Sequence, residues 1–228
     1  MDSEPDLTLY YAIHRQMRVD TVRYAAAVQD ATEGDRGGRV RALARWARGF
    51  AYELDDHHYV EDAFFLPSLW TRVPSVAEVL DDLDADHRAM DEILARWTGV
   101  AARLADPQVP FGPAKDEAVE LAVGLRDLLD RHLEVENREV LPLFSEHFTA
   151  AEYDAVFQQA VAGGRKTGLW FIVPWNVDAL PPEARDALVA AVPPPMQAFW
   201  AATRDEFRRL VDDAFGGVQL DRRADVAA

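Results

Sequence analysis

The sequence predicts an all-α protein: an up-down-up-down four-helix bundle over residues 1–148, followed over residues 149–228 by a helical extension packed on it. Three observations carry this expectation. Four long segments place apolar residues at alternating spacings of three and four, the period of a helix with one face buried. The connections between them are short, which favours antiparallel neighbours. The chain has 228 residues of which 49% are hydrophobic, enough for one substantial core with a small appendage.

The first stripe runs Leu7, Tyr10, His14, Met17, Thr21, Tyr24, Val28 and ends before the turn Gly34-Asp35-Arg36-Gly37-Gly38. The second runs Leu43, Ala47, Phe50, Leu54, His57, Glu61, Phe64 and is expected to end near Pro67. The third follows Pro74, with Ser75 and Glu78 spaced as a capping box, and continues through Leu80, Leu83, His87, Met90, Leu94, Trp97, Ala101 and Leu104. Asp106 to Pro113 reads as the next loop. The fourth stripe is Ala118, Ala122, Leu125, Leu129, His132, Glu136, Val140, Leu143, and Pro142 should stop or kink it. Thr149 and Glu152 form a second capping-box pattern opening a short helix that ends at Gly163-Gly164. The apolar run Leu169 to Trp175 reads as cover for the bundle. Two more helical runs flank Pro193-Pro194-Pro195, the last from Met196 to about Phe215, and Asp221 to Ala228 reads as a disordered tail.

Composition narrows the chemistry. Without cysteine, disulfides, thiolate metal sites and cysteine nucleophiles are excluded, so any metal must sit on nitrogen and oxygen. Forty acidic against 24 basic residues give a net charge of −16, which repels phosphate backbones and anionic lipid and argues against nucleic acid as a partner. The N-terminus has no apolar signal region, and no segment offers the ~20 apolar residues of a spanning helix. A cytoplasmic protein without membrane partners is expected.

His14, His57, Glu61, His87, His132 and Glu136 all occupy core positions near the middle of their helices. Burying two carboxylates and four imidazoles without partners is costly for each charged group, and a pair of cations would neutralise and ligate them. His57 and Glu61 are four apart, as are His132 and Glu136, so each pair projects from one helical face. Each glutamate also stands six residues before a proline, and each lone histidine precedes its paired histidine by nearly the same interval. This is a duplicated helix hairpin, and two carboxylates at the centre of its pseudo-two-fold are placed to bridge two metals. Mixed imidazole and carboxylate ligands suit iron, manganese or zinc rather than calcium or magnesium, with iron favoured.

The pattern of a lone histidine, then His57-His58-x-x-Glu61-Asp62 closed by Phe65-Leu66-Pro67, then a second lone histidine and His132-x-x-x-Glu136 with Leu141-Pro142, resembles the hemerythrin-like, or HHE cation-binding, family over residues 7 to about 147. The resemblance implies a di-iron centre with His14 and His57 on one iron, His87 and His132 on the other, and Glu61 and Glu136 bridging. It also implies a departure: the oxygen-carrying members have a fifth histidine one turn after the third-helix ligand, where this chain has Asp91. Either Asp91 coordinates or the second iron has an extra open site. Ferritin-like di-iron proteins place Glu-x-x-His on their helices, and no histidine here follows a glutamate by three residues.

The expected function is that of a non-haem di-iron protein that binds, senses or activates O2, NO or H2O2. The alternative is a di-iron oxidoreductase, an oxygenase or peroxidase, acting on an organic substrate; a catalase-like activity is a further enzymatic version. His58, about 100° around the helix from His57, reads as facing outward or towards a neighbouring helix, outside the ligand set. Tyr10, Tyr11 and Tyr24 read mainly as packing residues, His147 as a surface or cap residue, and the arginines between Arg39 and Arg48 as a solvated face.

Overall fold

The computed structural model describes residues 3–216, and among them all regular structure is helical. The elements are α1 (Thr8–Asp30), α2 (Arg39–Val60), α3 (Leu66–Arg72), α4 (Ala77–Ala105), α5 (Phe111–Val135), α6 (Leu141–His147), α7 (Ala150–Gly163), α8 (Leu169–Ala179), α9 (Pro182–Ala191) and α10 (Pro194–Phe215). The tail expected to be disordered, Asp221 to Ala228, lies outside the described residues.

Both prolines after the glutamates are accommodated inside continuous helices. The expected stop near Pro67 does not occur: α2 passes through a π-helical turn, Glu61–Phe65, into α3, which runs to Arg72. α5 likewise passes through Glu136–Val140 into α6. Proline has no N–H for the carbonyl four residues back, and its ring crowds that carbonyl. A one-residue widening relieves both problems. Because each π turn begins on a glutamate, the widening also sets how Glu61 and Glu136 enter the core.

Two further boundaries differ from expectation. Pro74–Val76 forms a 3-10 turn, and α4 begins at Ala77 without a side-chain cap, so the Ser75/Glu78 box does not form. α5 begins at Phe111, ahead of Pro113, since a first helical turn needs no N–H there. The Thr149/Glu152 box does form, and Arg72 of α3 donates two hydrogen bonds to Glu152, at 2.9 and 2.8 Å, tying α7 to the bundle.

The core has two main apolar clusters with a polar layer between them, and a small third made by Ala12, Ala179 and Leu180. Met17, Leu54, Met90 and Leu129 belong to the larger, one turn to one side of His14, His57, His87 and His132. Tyr10 and Leu83, one turn to the other side of His14 and His87, belong to the smaller together with Phe65 and Val140, one turn beyond Glu61 and Glu136. α1 and α4 meet the smaller cluster first and the larger second, whereas α2 and α5 meet them in the reverse order, so the helices alternate in direction. α4 packs between α2 and α5, and α5 packs on α1.

The extension is built into this core. α10 packs along α2, and α8 contacts α10, α2 and α1. Phe171, Trp175, Phe207, Leu210 and Phe215 join the larger cluster, where Trp46 stacks on Phe50 at 4.8 Å and meets the edges of Phe215 and Phe171. The apolar run at 169–175 is therefore helical, with Phe171, Ile172, Pro174 and Trp175 buried. Gly49 makes this approach possible, because a Cβ there would lie 2.1 Å from the Phe171 ring. The basic face of α2 is partly solvated, with Arg41 and Arg48 exposed, while Arg45 pairs with Glu206 of α10 and lies over the Trp170 ring, and Arg39 Nε donates to the Ala214 carbonyl at 3.3 Å.

Candidate metal centre

The polar layer brings together all six side chains expected to bind metal. His14, His57, Glu61 and Glu136 form one group whose ligating atoms lie within 4.8 Å of one another, and His87 and His132 form a second with His58. All seven residues are buried. The glutamates stand between the groups. Glu61 presents Oε1 to His57 Nε2 at 2.9 Å and to His14 Nε2 at 3.9 Å, and Oε2 to His87 Nε2 at 3.5 Å. Glu136 Oε2 lies 3.5 Å from His14 Nε2 and 3.8 Å from His132 Nε2.

Of the two orientations expected for His58, outward or towards a neighbouring helix, the structure has the second: the residue is only 4% exposed and stacks on His87 of α4 with ring centroids 4.2 Å apart, which brings it into a group with two of the expected ligands. Its place on the flank of the stripe is readable in the sequence, and the packing of α4 makes that flank interior. His58 follows Leu54 by four residues and precedes Glu61 by three and Phe65 by seven, so it lies on the same broad apolar stripe as His57, on the flank facing α4.

The outer nitrogens of both lone histidines are engaged. His87 Nδ1 lies 2.9 Å from Asp62 Oδ1, and His14 Nδ1 lies 2.7 Å from Asn137 Oδ1. Asp62 and Asn137 each follow a site glutamate and sit in a π turn, so one hairpin half orients the lone histidine of the other. An Nδ1–H donated outward leaves the Nε2 lone pair pointing inward, the arrangement common in metal-ligating histidines. Tyr10 is more than a packing residue: its hydroxyl lies 2.5 Å from Glu61 Oε1 and 3.0 Å from Glu136 Oε1. Tyr24 does serve packing, between Trp46 and Trp97, while Tyr11 and His147 are exposed.

The donor set fits metal ions because its inner atoms lack hydrogen-bond partners outside the set. His14 Nε2, His57 Nε2, both nitrogens of His58, Glu61 Oε2, His87 Nε2, both nitrogens of His132 and Glu136 Oε2 are buried and make no hydrogen bond. Buried polar groups are normally satisfied, so a convergent set of this size calls for a ligand. Protons alone serve the groups unevenly. Burial, with Glu61 beside it, pushes Glu136 up to about 8, whereas Glu61 is held well below the usual carboxylate range, His57, His14 and His87 outweighing its burial. Burial, reinforced by His87, draws His132 down to about 3 and His58 well below its ordinary value. Burial also opposes charge on His87, but the Asp62 and Glu61 carboxylates raise it to about 10.

Comparison with known protein families matches residues 7–144 to the hemerythrin HHE cation binding domain. The chain belongs to the hemerythrin HHE cation-binding family. Neither curated proteins nor solved structures gave a match.

Within this hemerythrin-like domain, Asp91 lies outside both ligand groups. It lines a 220 Å³ pocket together with Asp55, His58, Tyr59, Asp62, Ala63 and Arg165. Burial and the nearby Asp55 charge raise its carboxyl above the ordinary range. The third imidazole of the second group comes from α2, as His58, rather than from α4. Among the described residues no helix is long and apolar enough to cross a membrane.

Proposed function

We propose that the domain is a di-iron protein that binds and activates O2, NO or H2O2, with His14, His57, Glu61, His87, His132 and Glu136 as ligands, His58 as a seventh, and the two glutamates bridging. The observation that carries the reading is the convergence of buried, partnerless nitrogen and oxygen atoms on a layer enclosed by apolar clusters. Imidazole and carboxylate together suit iron, manganese and zinc; zinc has no redox chemistry, and of the other two Fe(II) is the ion that binds O2 and NO readily. Bound there as Fe(II), the pair would supply electrons and open coordination positions to a small oxidant.

The protein's own residues would do the rest. Asp62 and Asn137 fix the faces of His87 and His14. The Tyr10 hydroxyl holds a proton against both carboxylates and orients them. The flanking clusters keep bulk water from the centre. The pocket at His58 has a volume of 220 Å³, below the ~300–1,000 Å³ typical of sites for larger organic ligands, which favours a diatomic or peroxide over an organic substrate.

Elemental mass spectrometry on protein loaded anaerobically with Fe(II) tests the reading. About two irons per chain are expected, with an optical change when the reduced protein meets O2, NO or H2O2. Failure to retain iron would sink the proposal. Steady consumption of peroxide would place the protein among enzymes, and a single saturable spectral change would make it a binder or sensor.

A further inference from the structure

The pocket beside His58 is lined by one residue of the buried layer and by carboxylates nearer the surface, and combines two features with different consequences. Its rim carries Asp55, Asp62 and Asp91. Its wall includes His58, whose ring is almost wholly buried and whose two nitrogens have no hydrogen-bond partner. Another cavity, of 290 Å³, is lined by residues of α1, α8, α9 and α10 and includes none of the seven site residues. A water molecule occupies ~30 Å³ in the liquid, so six of them need roughly 180 Å³, and the pocket has room for a cation still carrying its waters.

One residue of the extension balances this acidic rim. Arg165, between α7 and α8, places Nε 3.0 Å from Asp55 Oδ2 and stacks its guanidinium 4.8 Å from the centroid of the Tyr59 ring. Its backbone N–H donates to Asp56, which fixes the residue at the pocket even if its side chain is changed.

We infer that this pocket is the port through which divalent metal ions reach the centre, with Asp55 and Asp91 collecting the hydrated ion, His58 accepting it, and Arg165 acting as a counter-charge that restrains uptake. The inference rests on the dimetal reading above. Carboxylates in a partly enclosed cleft concentrate cations and raise their rate of arrival without changing the ligands that finally hold them. His58 is suited to the handover because it belongs both to the pocket wall and to the group with His87 and His132.

The test is the rate at which full-length, metal-free protein takes up Co(II) anaerobically, followed by stopped-flow absorbance, with final stoichiometry measured in the same samples. At low ionic strength the double variant Asp55→Asn/Asp91→Asn should load about three- to tenfold more slowly than wild type, the difference shrinking in high salt. Arg165→Ala should load faster, and all variants should end with two ions per chain. The double variant Asp186→Asn/Asp205→Asn makes the same charge change on exposed sites of the extension and should load as wild type does. Equal rates for the two double variants, or an unaltered rate for Arg165→Ala, would overturn the port. Loss of an ion from Asp55→Asn/Asp91→Asn would make those residues ligands instead and overturn it as well. A wild-type chain that retains no metal at equilibrium is a different result, bringing down the dimetal reading and the port with it.

Discussion

Asp62 holds His87 from the far side of its ring, Oδ1 to Nδ1 at 2.9 Å, and comes from the π turn that also starts with Glu61. One local distortion thus delivers a bridging candidate and the residue that orients a histidine on another helix. Asn137 repeats the arrangement for His14 in the second half of the hairpin duplication. Replacing either Asp62 or Asn137 with alanine should leave the fold intact and weaken metal binding by about 10- to 100-fold, read by competition with a chromophoric chelator. Unchanged affinity in both variants would show that these contacts do not tune the centre.

His58→Ala should reduce the iron content towards one per chain, since it removes one of three imidazoles from the second group. Asp91→Ala should keep two. The reverse result, determined by elemental analysis after gel filtration, would return Asp91 to the ligand set.

Tyr10→Phe removes the hydroxyl that faces both glutamates and leaves two buried carboxyl groups without their shared donor. The metal-free protein should lose ~1–3 kcal/mol in urea unfolding. The iron-loaded protein should lose less, because bound cations would satisfy the same oxygens.

Gly49→Ala puts a methyl group into the Phe171 ring. A destabilisation of ~1–3 kcal/mol is expected, as for overpacking in a tight core. The region from α8 onward should be cleaved by protease earlier than in wild type. Identical digestion would mean that α8 can shift to make room at no cost.

Glu53 is buried against Asn176 of α8, and burial, aided by the Asp56 charge, raises its carboxyl to about 8. Between its unfolded value near 4.5 and about 8 the folded protein binds the extra proton, so this residue's contribution falls as pH rises through that window and is flat beyond it. Glu53→Gln should match wild type near pH 4.5 and exceed it increasingly above, by ~5 kcal/mol near pH 9, in paired denaturation curves. A pH-independent difference would show that Glu53 does not titrate abnormally.

The sequence by itself determined the helical class, the four amphipathic stripes and the placement of His14, His57, Glu61, His87, His132 and Glu136 on them. These are properties of periodicity, and a helix carries a spacing of three or four directly to one face. It also determined the duplication, since Glu61 and Glu136 stand equally far from their prolines. Only the tertiary structure decided what those prolines do: whether Pro67 ends a helix or widens it depends on whether neighbouring helices keep the chain helical beyond it. His58 was decided in the same way, because its position on the flank of the stripe becomes interior only when α4 packs against it. Asp62 and Asn137 reach His87 and His14 on other helices, and Tyr10 reaches Glu61 and Glu136, so no local pattern shows these contacts. The extension's role followed from Phe171 and Trp175 finding space beside Gly49 on α2. A short apolar run announces burial, but not the surface that buries it.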